Sequence, residues 1–252
     1  MHASGSDEEY VKKAIAENVK ILGFSDHSPS TYNEDYTSYY RMAPEEAPGY
    51  FASLRALREK YADEIELHIG YEVEYFHSNW KENLEMWKKN PPEYLILGQH
   101  YVDFEYYDGK HGNHSYREAG SLDKDRIKPY ADIVIEALSS DKISCLAHPD
   151  VLTYTGEDQD YYLEQMERII NAAKRYGVPI EYNLLGQSER RKYPRRDFWE
   201  LVGQLGGSAV IGCDAHEPCR VADKNELSEA KAFLKSVGVN IIDTIELRKP
   251  FA

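Results

Sequence analysis

Little in this sequence points to an export route, a membrane or a polyanionic partner. It holds only three cysteines (Cys145, Cys213, Cys219), none in a Cys-x-x-Cys pair. That excludes a disulfide framework and a zinc ribbon, and makes the reducing cytoplasm the expected compartment. No apolar stretch approaches the ~18 residues a membrane-spanning helix needs, and no charged-then-apolar start reads as a signal peptide. Positive charge is scarce: 30 Lys and Arg stand against 44 Asp and Glu, a net charge of −14 over 252 residues. With no basic run to neutralise phosphates, neither nucleic acid nor an anionic membrane is the expected partner. Linkers, low-complexity tracts and repeats are missing too, so residues 1–252 read as a single domain. What is present is a globular composition, 42% apolar and 29% charged.

Along the chain, short β-branched or aromatic runs alternate with helical patterns. The runs are Ile21–Phe24, Glu66–Tyr75, Tyr94–Gln99, Ile143–Ala147, Pro179–Leu185, Ala209–Cys213 and Asn240–Leu247. Tyr162, Met166, Ile169, Ile170 and Ala173 fall on one helical face, with Gly177 as a stop; Leu227, Ala230, Phe233, Leu234 and Val237 repeat the device before Gly238. Ser6 and Glu9 form a capping box that opens a helix through about Val19. This rhythm implies a parallel sheet, because a parallel crossover needs a helix-length connection. Tyr101–Gly120 is too polar and glycine-broken for strand or helix and reads as a long loop, a candidate lid. The chain opens almost directly with a helix, so the strand that should precede it in a βα order is missing.

Four of the nine histidines sit at the carboxyl end of a predicted strand: His27 in FSDHSPS, His100 in ILGQHYV, His148 in CLAHPD and His216 in IGCDAHEP. Asp26, Glu72, Glu74, Asp150 and Asp214 share those positions. In an α/β barrel all parallel strands end on one face, which holds the active site. Residues distant in sequence therefore converge there, and neutral imidazole with carboxylate is what borderline divalent metals take. A single histidine at a strand end is more often structural, but four beside carboxylates read as a metal site with several ions. Asp214-Ala215-His216 adds weight, since alternate residues point the same way. His68 inside its strand, and His77, His111 and His114 in loops, read as packing or solvated surface. Asp26 reads as the group that orients His27 rather than as a ligand.

In order along the chain, HASGSDEEYV, FSDHSPS, GYEVEYF, ILGQHYV, LAHPD, IEYNLLGQSERRKYP and IGCDAHEP resemble the polymerase-and-histidinol-phosphatase (PHP) family, histidinol-phosphatase type, from His2 to about Val221. The resemblance implies a distorted (β/α)7 TIM-like barrel with up to three ions of zinc, iron or manganese. By position, Glu72, His100 and His148 resemble the ligands of one ion, with Glu72 bridging to the next. His2, His27 and His216 resemble those of a second, and Asp214 a ligand of a third. The family's first-strand H-x-H has no counterpart here, the same gap as the missing strand; a truncated gene model is the expected explanation.

The implied reaction is metal-dependent hydrolysis of a small phosphomonoester, histidinol phosphate in histidine biosynthesis. Hydroxide made available by the metals would attack phosphorus in line, with Asp214 and His100 in the catalytic set and His100 a possible proton donor. Arginine supplies bidentate contacts to phosphate; Arg41, Arg190 and Arg191 are the candidates. Three rivals remain at this stage: a family member acting on a nucleotide or sugar phosphate, a degenerate non-catalytic barrel, and an amidohydrolase-type deaminase. The last would ordinarily need its own H-x-H and a strand-end lysine, which is not seen.

Overall fold

The structure is a computed structural model that describes residues 3–32 and 35–251. His2 lies outside the described residues.

Seven parallel strands form one sheet in sequential order: β1 (Ile21–His27), β2 (Glu66–Val73), β3 (Leu95–Leu97), β6 (Ile143–Leu146), β7 (Ile180–Asn183), β8 (Ser208–Gly212) and β9 (Asn240–Ile241). The remaining pair, β4 (Tyr106–Tyr107) and β5 (Lys110–His111), makes a separate antiparallel hairpin. Helix α1 (Asp7–Ala16) precedes β1, and α2 (Ala47–Lys60), α3 (Trp80–Trp87), α4 (Ile127–Ser139), α5 (Gln159–Tyr176), α6 (Leu184–Ser188), α7 (Arg196–Gln204) and α8 (Lys224–Ser236) lie between the strands. Sequential parallel neighbours joined by helices give the curled, TIM-like half-barrel that the alternation implies, because each crossover returns the chain to the same sheet end. Among the described residues α1 comes before β1, and β1 lies at the sheet edge with Ile21 43% exposed.

Helix α5 shows why these segments fold as they do. Tyr162, Met166, Ile169, Ile170 and Ala173 are all buried, and each large side chain among them stabilises the fold by about 1.5–3 kcal/mol on burial. Asp158 caps the helix start by accepting from the Tyr161 N–H at 3.2 Å. Gly177 ends it at φ 64°, a conformation that costs glycine nothing. At α1 the Ser6 N–H donates to Glu9 Oε2 at 2.7 Å, as the capping box requires.

Several boundaries differ from expectation. Helix α1 stops at Ala16 rather than near Val19, because Asn18 turns left-handed at φ 63°. The run to Leu185 ends as a strand at Asn183, whose side chain caps α6 by accepting from the Gly186 N–H. The last run keeps only Asn240–Ile241 as strand. Residues 101–120 are mostly loop but include the β4–β5 hairpin, whose Asp108-Gly109 tip takes positive φ at both positions (51° and 70°). Asp-Gly is the pair that such a two-residue turn favours.

Candidate metal centre

Strand ends β1, β2, β3 and β6 bring four side chains together. The carboxylate of Glu72, second to last in β2, is the hub. His148 Nε2 lies 3.3 Å and His100 Nε2 3.6 Å from its Oε1, and His27 Nδ1 lies 3.9 Å from its Oε2. The His100 ring stands 5.1 Å from that of His27 and 5.0 Å from that of His148. One ligand atom each from His27, Glu72 and His100 fall within 4.8 Å of one another.

Two further carboxylates and an amide continue the site around the rim. Asn183 donates Nδ2 hydrogens to Glu181 Oε2 at 3.2 Å and Asp214 Oδ2 at 3.0 Å, while its Oδ1 accepts from Gly186. Asp214 Oδ1 is 3.9 Å from His216 Nδ1, and the His216 carbonyl accepts from the Ser4 N–H. Asp214 and His148 both have left-handed backbone (φ 44° and 27°), a strain that non-glycine residues hold only where the surroundings over-determine it.

Glycines make room for the acids. A Cβ at Gly98, just past β3, would stand 1.7 Å from Glu72 Oε1; one at Gly212 would stand 1.8 Å from Glu181 Oε1. Both carboxylates therefore lie flat over neighbouring backbone inside the half-barrel.

The electrostatics suit a cation. Burial opposes charge on Glu72, but His27, His148 and His100 hold its carboxyl well below the usual range. Burial pushes His100 down to about 4, with His148 and Arg41 adding to it and Glu72 opposing. Burial would also lower His148, yet contact with Glu72 and the charges of Glu181 and Asp214 push it up to about 10. Glu181 rises to about 7, through burial and then Asp214. Glu72 Oε1, His100 Nδ1 and His148 Nδ1 are buried without a well-formed hydrogen bond. Leaving such atoms unpaired costs about 1–3 kcal/mol each, and imidazole with carboxylate is a divalent-metal donor set. The residues present therefore fit a divalent cation.

The other expected site residues are placed as follows. Arg41 is buried, its guanidinium bonded to Glu74 and Glu105. Arg190 is exposed at φ 52°. Arg191 pairs with Glu189 at 2.6 Å and donates to the Tyr193 hydroxyl at 3.0 Å; the Tyr193 ring is 5.8 Å from that of His148. Asp26 accepts from the His27 backbone N–H at 3.1 Å. Asp150 is a buried anchor that accepts from the Arg195 N–H and the Trp199 indole. His68 lies between Glu66 and Glu93, and His77 is exposed beside Glu136. His114 packs closer in, its ring 6.0 Å from that of His100. Sequence reasoning passed over Glu181 and Asn183. The signal was available: in Ile-Glu-Tyr-Asn, alternate positions of a buried strand place both polar groups on one face.

Residues 1–184 match the PHP domain family. Among curated proteins, a probable histidinol-phosphatase of Deinococcus radiodurans is 24% identical, covering 94% of this chain and 89% of that protein. One of Schizosaccharomyces pombe is also 24% identical, covering 98% and 86%. Among solved structures, the histidinol phosphate phosphatase of Lactococcus lactis, complexed with zinc, L-histidinol and phosphate, superposes with a TM-score of 0.68 at 17% identity, covering 95% of this chain and 90% of that one. With the family matched over nearly three-quarters of its length, and its strand-end imidazoles and acids meeting as described, the chain belongs to the PHP domain family.

Proposed function

We propose that residues 1–252 act as one unit, a metal-dependent phosphomonoesterase that converts L-histidinol phosphate to L-histidinol and phosphate in histidine biosynthesis. The observation that carries this reading is the cluster of three imidazoles, His27, His100 and His148, around the buried carboxylate of Glu72, in a chain whose curated relatives are named probable histidinol-phosphatases. Glu72, His100 and His148 would hold one ion; His27 and His216, with His2, a second; Asp214 a third, with Glu72 shared between neighbours. Two or three zinc, iron or manganese ions would supply Lewis-acid charge for the phosphoryl oxygens and acidify water enough for hydrolysis near neutral pH.

The protein's own groups do the rest. Asn183 holds Asp214 toward the centre through an amide whose oxygen is already committed to Gly186. His100 would act mainly as a ligand through Nε2, the atom that faces Glu72; delivery of a proton to the departing alkoxide is its lesser role, because burial lowers its pKa. Arg191 is better placed than Arg190 to bind phosphate. Its present partner Glu189 is 45% exposed, and such a surface pair contributes only about 0–1 kcal/mol, so a dianion displaces it readily. Location in the cytoplasm belongs to the same proposal and is supported by three unpaired cysteines. No helix among the described residues is long and apolar enough to cross a membrane.

The test is a panel of phosphomonoesters (histidinol phosphate, a nucleotide, a sugar phosphate) assayed with added manganese or zinc. Preference for histidinol phosphate is expected, and equal or better turnover of another ester overturns the substrate assignment. His27→Ala and His216→Ala should lower bound metal and activity together while circular dichroism stays unchanged. Wild-type metal content in both variants overturns the ligand assignment.

A further inference from the structure

Arg41 lies in the segment that follows β1, and its side chain is only 2% exposed. Its Nε donates to Glu105 Oε2 at 2.5 Å. Its NH2 group donates to Glu74 Oε1 and to the Tyr40 hydroxyl, the latter at 3.1 Å. Both carboxylates are as deeply buried as the guanidinium. Two of its three nitrogens, Nε and Nη2, are therefore committed to partners that solvent does not reach, unlike the exposed pair made by Arg191.

What Arg41 holds is informative. Glu74 lies two residues beyond Glu72, on the same face of the extended chain. Its Oε1 is 3.5 Å from His100 Nδ1, and its Oε2 accepts from the backbone N–H of Tyr101 at 3.1 Å. His100 thus stands between two acids, Nε2 toward Glu72 and Nδ1 toward Glu74. A carboxylate behind a metal-binding imidazole fixes the ring's tautomer and direction. Glu74 can do so only if its own place is fixed, and Arg41 is the cation that fixes it. The other arm reaches Glu105, which also accepts from the hydroxyls of Tyr32 at 2.5 Å and Tyr36 at 3.2 Å. Met42, next in the chain, donates its N–H to the His27 carbonyl at 3.2 Å. One guanidinium therefore ties together the segment after His27, the end of β2 and the segment after His100.

We propose that Arg41 is a positioning residue for the metal centre: clamped between Glu74 and Glu105, it holds the acid that orients His100 and does not contact the phosphate. The inference rests on the reading of His100 as a metal ligand. Lysine cannot replace it, because one ammonium point charge does not span two acceptors on different segments as the planar fork does.

The experiment compares the full-length chain with Arg41→Lys, Glu74→Gln and His100→Ala. Four quantities are read: Mn2+ affinity by chelator competition, and, at saturating Mn2+, inhibition by inorganic phosphate, kcat and KM. Arg41→Lys and Glu74→Gln should each weaken Mn2+ binding by about 10–100-fold, the range for loss of an outer partner of a metal ligand. They should lower kcat and leave KM and phosphate inhibition within about two-fold. Glu74→Gln keeps the volume of the side chain and one of its two acceptor oxygens, so it answers the question even if Arg41→Lys fails to fold. Phosphate inhibition weakened ten-fold or more in Arg41→Lys at unchanged Mn2+ affinity makes Arg41 a phosphate contact and overturns the proposal, as does no change in either variant. The His100→Ala arm separates the two claims. If it alone weakens Mn2+ binding, only the positioning role falls; if it leaves Mn2+ affinity at the wild-type value, the ligand reading falls first.

Discussion

Replacing Gly98 by alanine puts one methyl group where Glu72 now lies. The new Cβ would stand 1.7 Å from Oε1, 2.6 Å from Cδ and 2.9 Å from Cγ of Glu72. Non-bonded heavy atoms settle near 3.5 Å, so the carboxylate has to retreat by about 1.5–2 Å. It has little room to do so, being 8% exposed and walled by His148, His100 and His27 at 3.3, 3.6 and 3.9 Å. Overpacking of this kind costs about 1–3 kcal/mol of stability. The larger effect falls on the metal. A hub carboxylate moved by that distance no longer faces the same point as its imidazoles, and we expect Mn2+ affinity to fall at least as far as for lost outer-partner contacts, about 10–100-fold, or about 1.4–2.8 kcal/mol. Differential scanning calorimetry with and without Mn2+ reads both terms: the metal-free Tm falls, and the rise in Tm on adding Mn2+ shrinks, since that rise scales with RT ln(1 + [L]/Kd). A Gly98→Ala protein that binds Mn2+ with wild-type affinity would refute the placement of Glu72 against β3, and with it the account of why a glycine stands there.

Gly49 in α2 is the converse case. It is exposed, and nothing lies within 4 Å of an added Cβ, so Gly49→Ala should stabilise the protein by about 1 kcal/mol. That raises Tm by about 2–4 °C at this chain length; a lower Tm in calorimetry would contradict it. Asn183→Asp keeps the acceptor that caps α6 but loses the amide donors to Glu181 and Asp214. It should cost about 1.5–3 kcal/mol in urea unfolding without metal, with part of the loss recovered on adding Mn2+; stability equal to wild type without metal counts against the bridge. Glu105 gives a pH signature. Burial would raise its pKa, but Arg41 and the hydroxyls of Ser38 and Tyr32 outweigh burial and hold it below the ordinary 4.5. A depressed carboxyl contributes stability above its unfolded value and loses it as pH falls through its folded one. The Tm gap between wild type and Glu105→Gln should therefore be widest near neutrality and narrow as pH is taken below about 4.5. A gap that stays constant down to pH 3 would contradict the sign.

Features that depend on neighbours in sequence were legible without coordinates. The α5 stripe and its Gly177 stop, the Ser6–Glu9 capping box and the alternation of apolar runs with helical segments follow from local periodicity and cap chemistry, which tertiary contacts here reinforce. Boundaries were less so, because a residue such as Asn183 serves as strand, helix cap and side-chain donor at once, and only the last two roles end the strand. The Asp108-Gly109 turn was readable in principle but was hidden by the polarity of its surroundings.

The chemistry of the centre divides in the same way. That imidazoles and acids stand at strand ends is a property of the sequence, since a parallel sheet sends every strand end to one face. The resemblance marked Glu72 as a bridging acid, but the sequence could not say that Glu181 lies beside Gly212, or that Arg41 turns Nε and Nη2 to Glu105 and Glu74. Those facts depend on which strands are neighbours, in what register, and how much water is left between them. An arginine on a loop reads the same whether it meets phosphate or two buried carboxylates; only the folded chain decides which partner is within reach and which has been desolvated.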